Sequence, residues 1–243
     1  MQLLVSLRAA DEVTAALAGG ADIIDAKEPA RGPLGAVAPE VLEAISAAVP
    51  ATVAFSAALG DFTAADAVRS AVAAAGLAPR LAPVYLKLGF AGASPGSVPR
   101  LVATALAAAS EGVAHPVIVP VAYADCLDAR SPEPEEILHA AITAGAHAIL
   151  LDTYTKDGVG LLARLEITRV RALATRARAA GLLVALAGSL DPAAIGEVLG
   201  LADVIGVRGS ACVGGRGGRV DASLVRRIRD RLPPPTTALP AAG

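Results

Sequence analysis

A junction between a helix and a strand occurs three times in this chain, as AGGADIID at 18–25, AGAHAILLD at 144–152 and LGLADVIG at 199–206. In each copy, small residues and a glycine precede a short, continuous apolar run. Continuous apolar runs are typical of parallel strands that are buried on both faces. The repeated junction therefore predicts strands that alternate with helices.

The same alternation extends outward through most of the chain. The predicted strands are Leu3–Leu7, Asp22–Lys27, Thr52–Leu59, Pro83–Gly89, Val117–Tyr123, Ala148–Thr153, Leu182–Gly188 and Val204–Gly209. The predicted helices are Asp11–Ala18, Pro39–Val49, Ala64–Ala75, Val98–Glu111, Pro134–Ala144, Ile167–Ala180, Pro192–Leu199 and Ala222–Leu232. Glycines at 19, 76, 145, 181 and 200 are placed to end predicted helices.

Eight strands and eight helices in this length predict an α/β fold, a single-domain (β/α)8 TIM barrel over residues 1–232. A doubly wound open sheet is the alternative, but the turn after the first strand lacks the glycine-rich sequence typical of that fold. Residues 233–243 are rich in proline and alanine, and we expect them to form a disordered tail.

Composition excludes several classes of protein. The 243 residues are 54% hydrophobic with a net charge of −2, which excludes global disorder and argues against nucleic acid as the main partner. The apolar runs are far shorter than the roughly 20 residues of a membrane span, and the first residues lack the basic region of a signal peptide. We therefore expect a cytoplasmic protein with no membrane partner. Exposed alanine-rich helices would permit a homo-oligomer.

Lysine is rare in this chain. Of 21 basic residues only Lys27, Lys87 and Lys156 are lysines, and each lies at or just after the end of a predicted strand. Barrel enzymes place their active sites at these strand ends. A lysine can lose its proton and attack a carbonyl carbon, whereas an arginine stays protonated. The pattern predicts an amine nucleophile.

Two carboxylates are expected near these amines. Asp25 and Lys27 are two residues apart on one strand and so share a face, either as a catalytic pair or as a structural ion pair. Lys87 would keep a neighbouring amine neutral through like-charge repulsion. Asp152 ends the sixth strand and is predicted to point inward. Lys156 follows in a loop that we expect to be mobile, where a substrate contact and a solvated charge are both open.

Phosphate binding is predicted after the seventh and eighth strands, where barrels often bind phosphate. Small residues there bring backbone N–H groups close to an anion, and Arg208 would add positive charge. The candidate ligands are Gly188, Ser189, Arg208, Gly209 and Ser210. A merely flexible loop would have the same composition.

No metal site is predicted, because the histidines and cysteines have no ligand spacing; Cys212, in the last of these loops, is expected to be a packing residue. The residues alone thus favour a barrel enzyme whose amine nucleophile acts on a small phosphorylated carbonyl compound. An aldolase-like reaction is the natural class.

Several ordered motifs resemble those of the (5-formylfuran-3-yl)methyl phosphate synthase family, from about Leu3 to Leu232. They are ADIIDAKEP at 21–29 with LGA at 34–36, SAALGD at 56–61, LKLG at 86–89, LDTYTKDG at 151–158, LAGS at 186–189 and GVRGSAC at 206–212. One departure is Val213, where a basic residue is expected; Arg216 or Arg219 would compensate.

The resemblance implies a TIM-barrel lyase that condenses two molecules of glyceraldehyde 3-phosphate to a furan aldehyde phosphate, with loss of phosphate and water, in methanofuran biosynthesis. By the matching motifs, Lys27 is the Schiff-base lysine and Lys87 the proton acceptor. Asp25, Asp152 and Lys156 are supporting residues, and no cofactor is expected. The alternatives are another Schiff-base aldolase for triose or deoxyribose phosphates, and a non-catalytic barrel that binds a phosphorylated metabolite.

Overall fold

The computed structural model describes residues 1–75 and 80–235, and its centre is a closed barrel of eight parallel strands. The strands are β1 Gln2–Leu7, β2 Ile23–Ala26, β3 Ala54–Asp61, β4 Val84–Gly89, β5 Val117–Tyr123, β6 Ala148–Asp152, β7 Leu183–Leu186 and β8 Val204–Val207. Strand β8 pairs with β1 and closes the ring, so that Leu4 lies opposite both Ile23 and Gly206. The predicted (β/α)8 TIM barrel is confirmed, and an open sheet is excluded.

Helices surround the barrel. They are α1 Val13–Gly19, α2 Pro39–Ala48, α3 Ala65–Ala74, α4 Val98–Glu111, α5 Cys126–Ala129, α6 Pro134–Ala144, α7 Leu161–Arg164, α8 Ile167–Ala179, α9 Pro192–Glu197 and α10 Ala222–Arg229. The eight predicted helices are all present. The short helices α5 and α7 were not predicted, and they lie in the loops that follow β5 and β6.

Several of the glycines that were predicted to end helices lie just after helix ends in the structure. Gly145, Gly181 and Gly200 adopt left-handed backbone angles near φ +80°. Helix α1 is capped one residue later than predicted, by Gly20 at φ +94°. The predicted end at Gly76 lies outside the described residues. Glycine is favoured in this conformation because a side chain would clash with the backbone.

The interior of the barrel is lined by small as well as bulky apolar side chains, and Leu150, Leu183 and Val204 line it on β6 to β8. The inner faces of β6 to β8 carry Ala148, Ala185 and Gly206, and Ala187 follows β7. Bulky branched residues usually fill the interior of such barrels. The alanines and the glycine leave room for a cavity that reaches down between the strands.

A small hairpin follows β8 and was not predicted. Strand β9, Cys212–Val213, pairs antiparallel with β10, Arg219–Val220, around a tight turn at Gly215–Gly217. A side chain at Gly218 would meet the Val213 carbonyl oxygen at 1.8 Å, so only glycine fits there. The glycine-rich segment therefore has a defined shape.

The start of the predicted tail contacts the base of the barrel. Arg229 donates to the carbonyl oxygen of Pro233 at 2.6 Å, and the amino group of Met1 donates to that of Pro234 at 3.1 Å. From residue 236 onward the tail lies outside the described residues. None of the helices in the described ranges combines the length and the apolar character that crossing a bilayer requires.

Candidate active site

A cavity of about 280 Å³ lies at the carboxyl ends of the strands. It is lined by all three lysines of the chain, by Asp152, and by the five predicted phosphate-binding residues Gly188, Ser189, Arg208, Gly209 and Ser210. Asp25 is fully buried behind the cavity wall. Its hydrogen-bond partners Lys87 and Ser6 line the cavity. The structure thus brings the predicted site residues together from distant parts of the sequence.

Asp25 and Lys87 form a buried ion pair across the barrel wall. The Lys87 Nζ donates to Asp25 Oδ2 at 2.7 Å, and the Ser6 hydroxyl donates to the same oxygen at 2.7 Å. Burial raises the pKa of Asp25, but the charges of Lys87 and Lys27 outweigh it and hold that pKa below its ordinary value. The other oxygen, Oδ1, is buried and accepts no hydrogen bond within the described residues.

Lys27 differs from the other two lysines because its amine has no partner in the described ranges 1–75 and 80–235. Its side chain is 7% exposed, and Nζ forms no hydrogen bond or ion pair with any described residue. Burial, reinforced by the positive charge of Lys87, lowers the pKa of Lys27 to about 7 against the opposing pull of Asp152 and Asp25. A substantial fraction of this amine is therefore neutral and nucleophilic at neutral pH.

Asp152 and Lys156 form the second pair on the cavity wall. Lys156 Nζ donates to Asp152 Oδ1 at 2.7 Å and to the Thr153 hydroxyl at 3.1 Å. Burial raises the pKa of Asp152, but Lys156 and Lys27 outweigh it and leave the pKa below its ordinary value. Lys156 is therefore a cavity residue rather than a solvated loop charge.

The loop that carries Lys156 is held in place by hydrogen bonds, contrary to the mobility that we expected. Asp125 accepts from the backbone N–H groups of Tyr154 at 2.6 Å and Thr155 at 2.8 Å. Arg164 donates to Asp157 at 2.7 Å on the far side of the loop. The two anchors, on α7 and just before α5, fix the position from which Lys156 reaches the cavity.

The loop after β7 presents backbone donors to the cavity. Gly188 and Ser189 have φ of +95° and +49°, and neither N–H donates to a described residue. A side chain at Gly188 would lie 2.9 Å from the Thr153 nitrogen, so the two loops approach closely only because glycine is present. Successive N–H groups in such conformations form a concavity that suits an anion.

Arg208 has a different role in the structure from the one that we predicted. Its guanidinium donates to the carbonyl oxygens of Ser6 at 2.8 Å, Gly218 at 2.8 Å and Arg216 at 3.1 Å, and to both oxygens of Glu12 at 3.2 and 3.5 Å. These contacts engage all five N–H donors that an arginine possesses. Arg208 therefore anchors the β9–β10 hairpin to the barrel and has no donor left for a phosphate.

Glu12 is the most important residue that the sequence analysis missed. Its buried carboxylate also accepts from the backbone N–H groups of Arg8 at 2.9 Å and Val220 at 3.1 Å. The sequence pattern placed Glu12 in the first turn of a helix, where an acidic residue is ordinary. No local signal distinguishes it, because Arg208 and Val220 lie 196 and 208 positions away.

Two polar groups of the cavity wall, Ser56 and Tyr85, were also missed. Ser56 is fully buried, and its hydroxyl has no hydrogen-bond partner among the described residues. Tyr85 lies opposite Ser56 on β4 and also lines the cavity, where burial raises the pKa of its hydroxyl. Arg216 lines the cavity, whereas Arg219 pairs at the surface with Asp11. We expected Arg216 or Arg219 to compensate for Val213, which stands where a basic residue is expected. Of these two arginines, Arg216 is the one that lines the cavity.

Among the described residues, no group of three or more His, Cys, Asp or Glu side chains is arranged to hold a metal ion.

Comparison with known proteins gives the same family as the motifs. A protein-family model described as 4-HFC-P synthase matches residues 3–229. The (5-formylfuran-3-yl)methyl phosphate synthase of Methanothermobacter thermautotrophicus is 33% identical over 235 residues, which cover 96% of this chain and 99% of that protein. The enzyme of the same name from Methanocaldococcus jannaschii is 34% identical over 234 residues, or 95% and 99% of the two chains.

Among solved structures, the phosphoribosyl anthranilate isomerase of Thermus thermophilus superimposes with a TM-score of 0.62 at 19% identity, covering 95% of this chain and 98% of that one. That likeness concerns the fold alone. The family model and the two sequence relatives, each matched over nearly the whole chain, decide the assignment. The chain belongs to the 4-HFC-P synthase family, the (5-formylfuran-3-yl)methyl phosphate synthases.

Proposed function

We propose that this chain is a lyase that condenses two molecules of glyceraldehyde 3-phosphate to (5-formylfuran-3-yl)methyl phosphate through a Schiff base on Lys27. One phosphate and two water molecules leave, which balances the atoms of two trioses against the furan product. The product would serve the biosynthesis of a methanofuran-type cofactor. Family membership and the names of the relatives support the overall reaction.

The observation that carries this proposal is the unpartnered, buried amine of Lys27. An amine that is already neutral attacks the carbonyl carbon of the first triose phosphate and forms an imine with loss of water, and uptake of one proton from solvent gives the iminium. The iminium attracts electrons more strongly than the carbonyl does, so it acidifies the adjacent carbon. A site that only binds phosphorylated metabolites has no need of a neutral amine.

Lys87 and Asp25 are placed to move protons. In our scheme Lys87 passes its own proton to the Asp25 carboxylate and accepts the proton from the carbon next to the iminium, which gives an enamine. Proton transfer by a positioned group typically accelerates a step by about 10²–10⁴-fold. The buried 2.7 Å contact between the two side chains supports this pairing.

Lys156 and the phosphate loops would hold the second substrate. The enamine would expel the phosphate from C3 of the first triose, and C2 of the second triose, as its enediol, would attack that C3. The Lys156 ammonium, fixed by Asp152, would donate to the aldehyde oxygen of the second triose. The N–H groups of Gly188 and Ser189, with Gly209 and Ser210 beside them, would take phosphate oxygens. Hydrolysis of the iminium, ring closure of the first triose's C2 hydroxyl on the second aldehyde, and dehydration then give the furan.

Incubation with glyceraldehyde 3-phosphate alone tests the overall reaction. We expect a product that absorbs in the near ultraviolet, as a furan aldehyde does, and one inorganic phosphate for every two trioses consumed. An aldol product without phosphate release would instead indicate a simple Schiff-base aldolase. Thermal stabilisation by the triose phosphate without any turnover would indicate a binding protein.

The pH dependence of imine formation should follow the titration of Lys27. Because the pKa of Lys27 is lowered to about 7, the initial rate of adduct formation should rise about tenfold per pH unit below 7 and level off above it. The rate is measured by reducing the adduct with cyanoborohydride at saturating glyceraldehyde 3-phosphate. A profile that still rises steeply between pH 8 and 10 would contradict this assignment.

Asp152→Asn provides an internal check, because it removes a negative charge that raises the pKa of Lys27 and leaves the positive charge of Lys156 in place. The rising limb of the profile should therefore move to lower pH. A shift to higher pH would overturn the electrostatic account of Lys27.

A further inference from the structure

Two of the cations that line the cavity are not paired with a carboxylate of the described residues. Lys87 pairs with Asp25, Lys156 with Asp152, and Arg208 with Glu12. Asp191 lies on the rim, where its carboxylate caps α9. Two cations remain without a carboxylate within salt-bridge distance in the described ranges, and they are Lys27 and Arg216.

These two cations differ in kind. Lys27 can give up its proton, and the proposed reaction requires that it does so. Arg216 stays protonated at neutral pH although burial lowers its pKa, and its planar guanidinium matches the oxygens of a phosphate. Once Lys27 is neutral, Arg216 is the permanent positive charge that the described part of the cavity leaves uncompensated.

The fold fixes the backbone of Arg216 firmly. Arg216 lies in the Gly215–Gly217 turn at the tip of the β9–β10 hairpin. Its carbonyl oxygen accepts from Arg208 Nε at 3.1 Å. Arg208, whose own donors are all engaged, therefore holds the backbone of Arg216, whose guanidinium still has free donors. Among the described residues, only one hydrogen bond is donated by the Arg216 guanidinium, from Nη2 to the Gly32 carbonyl oxygen at 2.8 Å.

That one hydrogen bond connects Arg216 to the loop of residues 27–38 between β2 and α2, which begins at Lys27. The other end of this loop is fixed independently. Leu34 is 1% exposed and packs so closely on Gly89 that a side chain there would meet its Cδ1 at 2.7 Å. The Glu28 N–H donates to the Gly35 carbonyl oxygen at 2.8 Å across the loop. Arg216 therefore bridges the hairpin and the loop that carries the nucleophile.

We propose that Arg216 is the arginine that binds a substrate phosphate, and that the same guanidinium ties the 27–38 loop to the β9–β10 hairpin over the cavity. This proposal rests on the proposed function for the identity of the ligand, a phosphate monoester. Nη1 and one N–H of Nη2, which share an edge of the guanidinium, would take the phosphate while the other N–H of Nη2 keeps the Gly32 carbonyl. Phosphate binding would then hold in place the loop that follows Lys27.

The test compares Arg216→Ala with Arg219→Ala as the matched control, because Arg219 lies on the same hairpin but pairs with Asp11 at the surface. Adduct formation at Lys27 is trapped with cyanoborohydride over a range of glyceraldehyde 3-phosphate or unphosphorylated glyceraldehyde. For Arg216→Ala we expect the half-saturating concentration of the phosphorylated aldehyde to rise about 10–100-fold, the scale of a lost charge-assisted hydrogen bond. Trapping with glyceraldehyde should change less than about twofold, and Arg216→Lys should recover part of the loss.

Hydrogen exchange tests the second half of the proposal. Amides of residues 28–36 should exchange faster in Arg216→Ala than in the wild type or in Arg219→Ala. Addition of glyceraldehyde 3-phosphate should slow their exchange in the wild type but not in Arg216→Ala. Unchanged exchange in Arg216→Ala would overturn the tether.

Two results would overturn phosphate binding by Arg216. One is Arg216→Ala behaving as Arg219→Ala does, and the other is equal loss of trapping with both aldehydes, which would indicate a general loss of site shape. Failure of the proposed function is seen separately, as no adduct on Lys27 in the wild type with either aldehyde. In that case the melting temperature is measured with and without inorganic phosphate. If phosphate stabilises the wild type but not Arg216→Ala, the proposal is supported. If phosphate stabilises both proteins equally, the proposal is refuted.

Discussion

Lys27→Arg abolishes turnover of glyceraldehyde 3-phosphate, with an expected loss on the order of 10⁴–10⁶-fold, as when an essential nucleophile is removed. The arginine keeps its proton and cannot form an imine. Steady-state phosphate release and product absorbance measure the loss, and circular dichroism checks that the barrel is intact. Lys27→Arg turning over at more than about a hundredth of the wild-type rate would contradict the assignment.

Lys27→Met is the companion variant, because it removes the amine without adding a charge beside Lys87. It should lose turnover to the same extent. Its stability relative to the wild type should also depend on pH, since the pKa of Lys27 is lowered on folding from 10.5 to about 7. Below pH 7 the wild type bears the full cost of burying the charge, and from pH 7 to about 10.5 that cost fades. The stability advantage of Lys27→Met should therefore shrink as the pH rises through this window.

The largest effect on stability is expected at the buried pair of Glu12 and Arg208, whose side chains are each 2% exposed. Glu12→Leu leaves the Arg208 guanidinium buried without its counter-charge, which should cost about 3–5 kcal/mol. For a chain of this size the melting temperature should fall by about 6–20 °C. Thermal and urea unfolding measure the change, and the double variant Glu12→Leu/Arg208→Met should recover much of the loss.

Asp11→Ala is the matched control for this prediction. It breaks the ion pair with Arg219, which is exposed on the same hairpin, and pairs of that kind contribute about 1 kcal/mol or less. Equal destabilisation by Asp11→Ala and Glu12→Leu would contradict the anchoring role of Arg208. So would a Glu12→Leu variant as stable as the wild type.

The barrel could be predicted from the sequence because its signals are local. Each strand is a short apolar run beside a helical pattern, and the junction at 18–25 repeats at 144–152 and 199–206. The lysines could be predicted as site residues because parallel strands bring their carboxyl ends to one face. The order of the strands and the positions of their ends therefore suffice to predict that Lys27, Lys87 and Asp152 lie close together.

The roles of the arginines could not be predicted, because they depend on contacts between distant segments. Arg208 follows β8 at the position of a phosphate ligand. Its guanidinium nevertheless pairs with Glu12, which the sequence places in the first turn of the first helix. The strands of the β9–β10 hairpin have two residues each and show no periodicity, so the segment resembles a flexible loop. Without the hairpin, the sequence offers no reason to prefer Arg216 over Arg219.

The apolar lining of the cavity has a consequence for the reaction. The cavity below the lysines is lined by apolar side chains such as Leu150, Val119 and Val204. An apolar, enclosed space strengthens the interactions between the charges at its mouth and lowers the cost of keeping Lys27 neutral. The apolar lining of the cavity and the lowered pKa of Lys27 are therefore connected.

The central claim is that the Lys27 amine bonds covalently to the substrate, and reductive trapping tests it most directly. The protein is incubated with glyceraldehyde 3-phosphate and borohydride at pH 7.5, digested, and mapped by mass spectrometry. We predict one stoichiometric adduct, on the peptide that contains Lys27, and none in Lys27→Met. An adduct confined to Lys87 or Lys156, or no adduct while the furan product still forms, would contradict the account.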